Sequence, residues 1–261
     1  LPLAVVGALG AAEYYGFATR GDVRPFGFVG ATGAAALVLG AAWQPTLSSF
    51  APVALAITGV GVLASMGFVL ASHTAEDRPL ESAAATVFGM LYVGLPLSFA
   101  PLLLRLPFEQ GWAGEIGGEG AGLAVIALPL TATWAGDSAA FFAGSRWGKR
   151  RLAPTISPNK SWEGFWANIV GAAGAVLVWQ VIAQPSLPGL PLSMPVTALC
   201  GAVLGLGAVG GDLVESLFKR QAGMKDSGRF LPGHGGVLDR LDSVVVTLPV
   251  GYVLFAILSR M

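Results

Sequence analysis

Eight runs of about twenty mainly apolar residues dominate the chain, at about 1–19, 26–43, 49–72, 82–104, 120–143, 164–183, 192–212 and 241–259. A helix of about twenty residues crosses about 30 Å of hydrocarbon. In lipid, only helices and closed barrels satisfy all their backbone groups internally. The runs therefore predict an all-α, polytopic integral membrane protein with about eight transmembrane helices. Composition agrees: only 11% of residues are charged, against about 25% in an average soluble domain. The first run is the weakest, because Glu13, Tyr14 and Tyr15 interrupt it. The chain opens at Leu1 without a methionine, so a further segment is expected upstream. The opening run lacks a basic stretch and a cleavage site, and does not read as a signal peptide. No repeat of 20–50 residues is visible, so residues 1–261 read as one transmembrane domain.

Lys+Arg and Asp+Glu both number 15, so no basic excess points to nucleic acid. Cys200 is the sole cysteine, which excludes an intramolecular disulfide and a CxxC metal site. The distribution of charge is more informative than its sum. Alternating spans place Arg20, Arg24, Arg78, Arg146, Lys149, Arg150, Arg151, Lys160, Lys219, Arg220, Lys225, Arg229 and Arg240 on one side, and only Arg105 and Arg260 on the other. Thirteen cations against two mark the first side as cytoplasmic.

The outer loops offer little chemistry. Residues 184–191 are uncharged, and the acidic loop 105–119 reads as a solvated connector. Two cytoplasmic stretches are different. In the first, Asp137 lies inside the fifth span, about two turns from its cytoplasmic end. A carboxylate at that depth is costly unless it pairs with a neighbouring Lys or Arg or lines a polar cavity. Ser157-Pro158-Asn159-Lys160-Ser161 follows and reads as a turn before a helix, with Ser161 as N-cap and Glu163 in the first turn. Lys160, presented beside exposed amides, suits a phosphate. In the second stretch, Asp212, Glu215 and Ser216 share one helix face at the end of span seven. Asp239 and Asp242 share a face at the start of span eight. A Gly/Pro-rich loop with four cations joins them. Carboxylates on two helix ends facing basic residues suit a hard cation with a polyphosphate. His234 sits among Gly233, Gly235 and Gly236, in a loop whose backbone must come close to a ligand. No P-loop, HExxH or GxSxG pattern is present.

The run Ser216-x-Phe218-Lys219-Arg220-x4-Lys225-Asp226-x-Gly228-x2-Leu231-Pro232-x-His234-Gly235-Gly236-Val237-x-Asp239-Arg240-Leu241-Asp242 resembles the signature of the phosphatidate cytidylyltransferases, also called CDP-diacylglycerol synthases. Trp134-x2-Asp137-Ser138 and Ser157-Pro158-x-Lys160-Ser161-x-Glu163-Gly164 are similar to that family too. The resemblance is strong over about 130–260; the first 130 residues match only as apolar spans. It implies a further hydrophobic segment ahead of Leu1. It also implies the Mg²⁺-dependent reaction CTP + phosphatidate → CDP-diacylglycerol + pyrophosphate, with a second cation left open, carried out by a homodimer at the cytoplasmic leaflet of the cell's inner (plasma) membrane.

The residues agree with that chemistry. A phosphate monoester is largely ionised at neutral pH and can itself be the nucleophile, so positioning and charge are what the enzyme must supply. The expected metal ligands are Asp212 and Asp239, supported by Asp137, Glu215, Asp226 and Asp242. Lys160, Lys219, Arg220, Lys225 and Arg240 are expected on phosphates, with Ser157, Ser161, Ser216, Gly235 and Gly236 lining the substrate site and His234 a further catalytic candidate. A cytidylyltransferase for an ether lipid or polyprenyl phosphate stays open, because the tail pocket lies among undiagnostic spans. An ion-coupled transporter would spread ionisable residues near the midplane over repeated halves. Here they gather at one face.

The orientation predicts that single cysteines placed in 144–163 or 221–238 of a Cys200→Ala background escape an impermeant thiol reagent added outside intact cells, whereas cysteines in 109–119 react. Labelling of both basic loops from outside would reverse the topology.

Overall fold

The computed structural model describes residues 1–113, 118–190, 192–228 and 235–258. Its helices are α1 (Pro2–Arg20), α2 (Gly27–Trp43), α3 (Leu47–Ser72), α4 (Pro79–Leu97), α5 (Phe99–Glu109), α6 (Gly118–Trp147), α7 (Trp162–Ala183), α8 (Met194–Gln221), α9 (Leu238–Leu241) and α10 (Val244–Leu258). All eight apolar runs are helical, and the chain is a multi-pass, predominantly α-helical membrane protein. Among the described residues, six helical stretches are long and apolar enough to span a bilayer: Leu47–Ser72, Pro79–Glu109, Gly120–Trp147, Trp162–Ser186, Met194–Gln221 and Leu238–Leu258. Gly27–Trp43 is apolar but shorter. The α1 helix, with Glu13 at its middle, falls outside this set.

The chain divides into two compact units. One comprises Leu1–Leu102 with Phe218–Leu241, the other Leu103–Leu217 with Asp242–Met261. In the first unit α1 packs on α2 and α4, and α3 lies against α2 and α4. Backbones meet where side chains are absent: a Cβ on Gly94 of α4 would lie 2.6 Å from Cα of Ala34 in α2. Close small-residue contacts of this kind replace the hydrophobic drive that lipid removes. Tyr15 of α1 donates its hydroxyl to the Thr86 carbonyl at 2.7 Å, a buried bond that ties α1 to α4. Tyr14, Phe88, Tyr92 and Phe218 form an aromatic group with centroids 5.6–6.2 Å apart, holding the end of α8 against α1 and α4. Leu55, Leu63 and Leu70 of α3 are each more than two-thirds exposed, as expected of a helix whose outer surface meets lipid.

In the second unit α6 pairs with α7, and α10 lies on α6. Here too α7 and α8 approach through small residues, with a Gly201 Cβ falling 2.7 Å from Cα of Ala173. Three polar bonds cross these faces: Thr133 Oγ1 to Thr247 Oγ1 at 2.9 Å, Trp179 Nε1 to the Ala124 carbonyl at 2.7 Å, and Ser243 Oγ to the Ala208 carbonyl at 3.1 Å.

Two local expectations change. Ser157–Ser161 is not a turn but the strand β2, paired antiparallel with β1 (Arg151–Ala153) through Arg151↔Ser161 and Ala153↔Ser157. The reversal falls instead at Pro154-Thr155-Ile156, where proline cannot donate to a ladder. The expected helix start does hold: Ser161 caps α7, its Oγ accepting from the Gly164 N–H at 3.1 Å, with Glu163 in the first turn. At the other end of the signature, Asp239 and Asp242 do not share one uninterrupted helix face. The α9 turn stops at Leu241, and α10 begins after Asp242 accepts the Ser243 N–H at 2.6 Å. A short acidic side chain beside its own backbone competes with helix continuation in this way.

The glycine contacts make a stability prediction. Gly94→Ala should cost about 1–3 kcal/mol by overpacking and lower the melting temperature in detergent. Gly59→Ala in α3, with nothing within 4 Å of the added carbon, should be neutral or slightly stabilising. Equal behaviour would show that the α2–α4 approach is not tight.

Candidate functional site

Among the described residues, the candidate site residues that meet one another do so in one cluster in each unit. In the second unit, Asp137 projects from α6, Lys160 from β2, Asn168 from α7, and Asp212 and Ser216 from α8. The Lys160 ammonium lies 2.5 Å from Asp212 Oδ2, and Ser216 Oγ donates to Asp212 Oδ1 at 3.2 Å. Asn168 Nδ2 donates to Asp137 Oδ1 at 3.2 Å. Asp137 lies within electrostatic reach of both Asp212 and Lys160. Ten residues separate Asp137 from the end of α6, close to three turns, because the helix runs past the expected boundary. Two carboxylates therefore face one ammonium. The Lys160 and Asp212 side chains keep 23% and 31% of their exposure, so the cluster stays open to a ligand. Glu215 is sealed, with no exposed surface, and Ser216 is nearly so; of that expected acidic face only Asp212 reaches solvent. Ser161 is buried and spent on the cap. Ser157 stands in β2, and Asp242 is engaged by the Ser243 N–H.

The cluster in the first unit is closed. Asp239 Oδ1 accepts from the Lys219 ammonium at 2.8 Å. Its Oδ2 accepts from the Ser227 N–H and Oγ, both at 2.9 Å, and from the Gly236 N–H at 2.7 Å. The Lys219 and Asp239 side chains are only 13% and 11% exposed. A second carboxylate joins from α1: Glu13 accepts from Val237 N–H at 3.0 Å, Leu238 N–H at 2.8 Å and Ser227 Oγ at 2.9 Å. Arg220, Lys225, Asp226 and Arg240 line the exposed rim of this unit. His234 lies outside the described residues, as do Arg229, Pro232 and Gly233.

The glycines here serve the protein's own carboxylates. Gly235 has φ +81°, and a Cβ there would meet Asp239 Oδ2 at 2.6 Å. Side chains at Gly236 or Gly228 would collide with Glu13. Glu13, Ser227 and Asn168 are the participants that the sequence reading missed. An ionisable residue inside an apolar helix was the available signal for Glu13; Ser227 carries none.

Among the described residues, no three His, Cys, Asp or Glu side chains converge into a ready-made metal cage. What the clusters offer is carboxylates partnered by lysines, together with exposed cations that suit phosphate groups. A sequence profile described as the cytidylyltransferase family matches residues 2–258. The chain belongs to the cytidylyltransferase family. Among its relatives, the phosphatidate cytidylyltransferase of Bacillus subtilis (strain 168) is 44% identical over 140 residues, covering 53% of this chain and 49% of that protein. Phosphatidate cytidylyltransferase 5, chloroplastic, of Arabidopsis thaliana is 34% identical over 214 residues, 78% of this chain and 51% of its own length. The phosphatidate cytidylyltransferase of Thermotoga maritima is 33% identical over 202 residues, 77% of this chain and 70% of its own length. The chain thus spans about half the length of most of these cytidylyltransferases.

The open cluster can be tested without any substrate. Removing Lys160 leaves Asp137 and Asp212 facing each other uncompensated, so Lys160→Met should destabilise more than Asp212→Asn. A double-mutant cycle between the two should give a coupling of about 0.5–1.5 kcal/mol. A coupling of zero would mean that the pair contributes nothing.

Proposed function

We propose that this chain is the catalytic part of a CTP:phosphatidate cytidylyltransferase, forming CDP-diacylglycerol and pyrophosphate at the cytoplasmic leaflet of the inner membrane, as a homodimer. The observation that carries this reading is the half-open Lys160–Asp212 pair beside Asp137, placed where helices of membrane-spanning length give way to a polar hairpin. Such a cluster meets a ligand that is both anionic and anchored in lipid. The names of the relatives support the same substrates, and the thirteen-to-two distribution of cations supports the cytoplasmic side.

In this reading a phosphatidate oxygen attacks the α-phosphorus of CTP. The new P–O bond forms as the bond to the β-phosphate oxygen breaks, and the electron pair leaves with pyrophosphate. The phosphate monoester is already largely ionised, so no serine or cysteine nucleophile is required. Lys160 exchanges its hold on Asp212 for a phosphate oxygen. The donor set suits a hard divalent cation: Asp137 and Asp212 present oxygen ligands, and the Lys160 ammonium on Asp212 marks a place where positive charge is demanded. Bound there, Mg²⁺ would neutralise phosphate charge and orient the leaving group. Asp239, with both oxygens occupied by protein donors, orders the turn that carries Gly235 and Gly236 and holds Lys219 in place.

Purified protein given CTP and phosphatidate should release pyrophosphate, stop with EDTA and resume with added Mg²⁺. Asp212→Asn should lose at least about a hundredfold in kcat/KM, as expected for the loss of a main electrostatic group, while Arg78→Gln stays near wild type. Arg78 pairs with Glu81 and donates to the Gly21 carbonyl at 3.1 Å, both exposed contacts far along the chain from the signature. Turnover with an ether-lipid or polyprenyl phosphate but not phosphatidate would redirect the substrate, and metal-independent turnover would sink the mechanism.

A further inference from the structure

Glu13 stands out among the charged groups that the reaction as derived does not use. It lies in the middle of α1, a helix that otherwise buries Ala4, Gly7, Gly10, Ala11, Tyr15 and Phe17. A carboxylate in such a helix is costly unless it is fully engaged. Here both oxygens are engaged, and among the described residues the donors come from the signature segment more than 200 residues away: Val237 N–H to Oε1, and Leu238 N–H and Ser227 Oγ to Oε2. Glutamate thus satisfies amides at the start of α9, which its own chain leaves without helical acceptors. The same Ser227 hydroxyl lies 2.9 Å from Asp239 Oδ2, and Asp239 holds Lys219 at 2.8 Å. The single Ser227 hydroxyl hydrogen, shared between the two carboxylates, therefore links α1 to the carboxylate that holds a lysine of the signature. The missing side chains of Gly228 and Gly236 are what let Glu13 reach the backbone.

We propose that Glu13 is a positioning residue for nucleotidyl transfer. It locks the 236–238 turn and, through Ser227 and Asp239, sets the place of the Lys219 ammonium, without itself touching substrate. This rests on the cytidylyl-transfer reading above.

The test is Glu13→Gln in the full chain. Gln keeps the size but sets an N–H against donors that need an acceptor, and removes the charge. Amide exchange at Val237 and Leu238 should quicken by about tenfold, and kcat should fall by about tenfold or more with KM for phosphatidate within about twofold, in line with the loss of charge-assisted hydrogen bonds. The melting temperature should stay within a few degrees. Wild-type exchange with wild-type kcat would overturn the proposal; so would a fall in melting temperature alone, without the kcat loss. Should the wild-type chain turn over no lipid phosphate at all, the functional reading fails; the positioning contact then stands or falls on the exchange rates. If Glu13→Gln does not insert, Ser227→Ala decides the matter. It removes only the hydroxyl between the two carboxylates and should lower kcat while Val237 and Leu238 stay protected; unchanged kcat would overturn the proposal.

Discussion

An ionised carboxylate beside hydrocarbon is unstable unless fixed donors replace its water, and that constraint organises this protein's polar regions. Among the described residues, four carboxylates at or inside apolar helices are met by donors: Asp137 by Asn168, Asp212 by Lys160 and Ser216, Asp239 by Lys219, Ser227 and Gly236, and Glu13 by Ser227, Val237 and Leu238. Most of the partners come from other elements. Meeting the electrostatic demand of each acid therefore brings together segments that the apolar pattern alone would leave unordered with respect to one another.

Small residues make this possible. In both units the helices approach through Gly and Ala, because lipid offers no hydrophobic reward for bulk. The glycines of the signature do a second task, since Gly228, Gly235 and Gly236 leave room for carboxylate oxygens against backbone amides. A glycine-rich loop in such a chain is thus not by itself a sign of a ligand pressed onto the backbone. Here the group pressed onto it belongs to the protein.

The two clusters differ in a way that matters for chemistry. The Glu13–Ser227–Asp239–Lys219 group is saturated and largely shut off from solvent, which makes it a frame. The Asp137–Lys160–Asp212 group sets two carboxylates against one ammonium and stays partly exposed.

The apolar runs determined the helices by themselves, since a length of about twenty residues in lipid permits little else. The spacing of the signature likewise singled out Asp212, Lys219 and Asp239, and the Ser161 cap was legible because capping is a local interaction. Reach and burial were not. Glu215 and Asp212 are three residues apart on one helix, yet one is sealed and the other open. Asp239 and Asp242 parted because the chain breaks between α9 and α10. Glu13 read as a flaw in its helix until the fold laid Val237 and Leu238 against it. Sequence carries what periodicity and neighbouring residues enforce. Which carboxylate is saturated and which stays available depends on donors brought from far along the chain, and only the tertiary structure decides that.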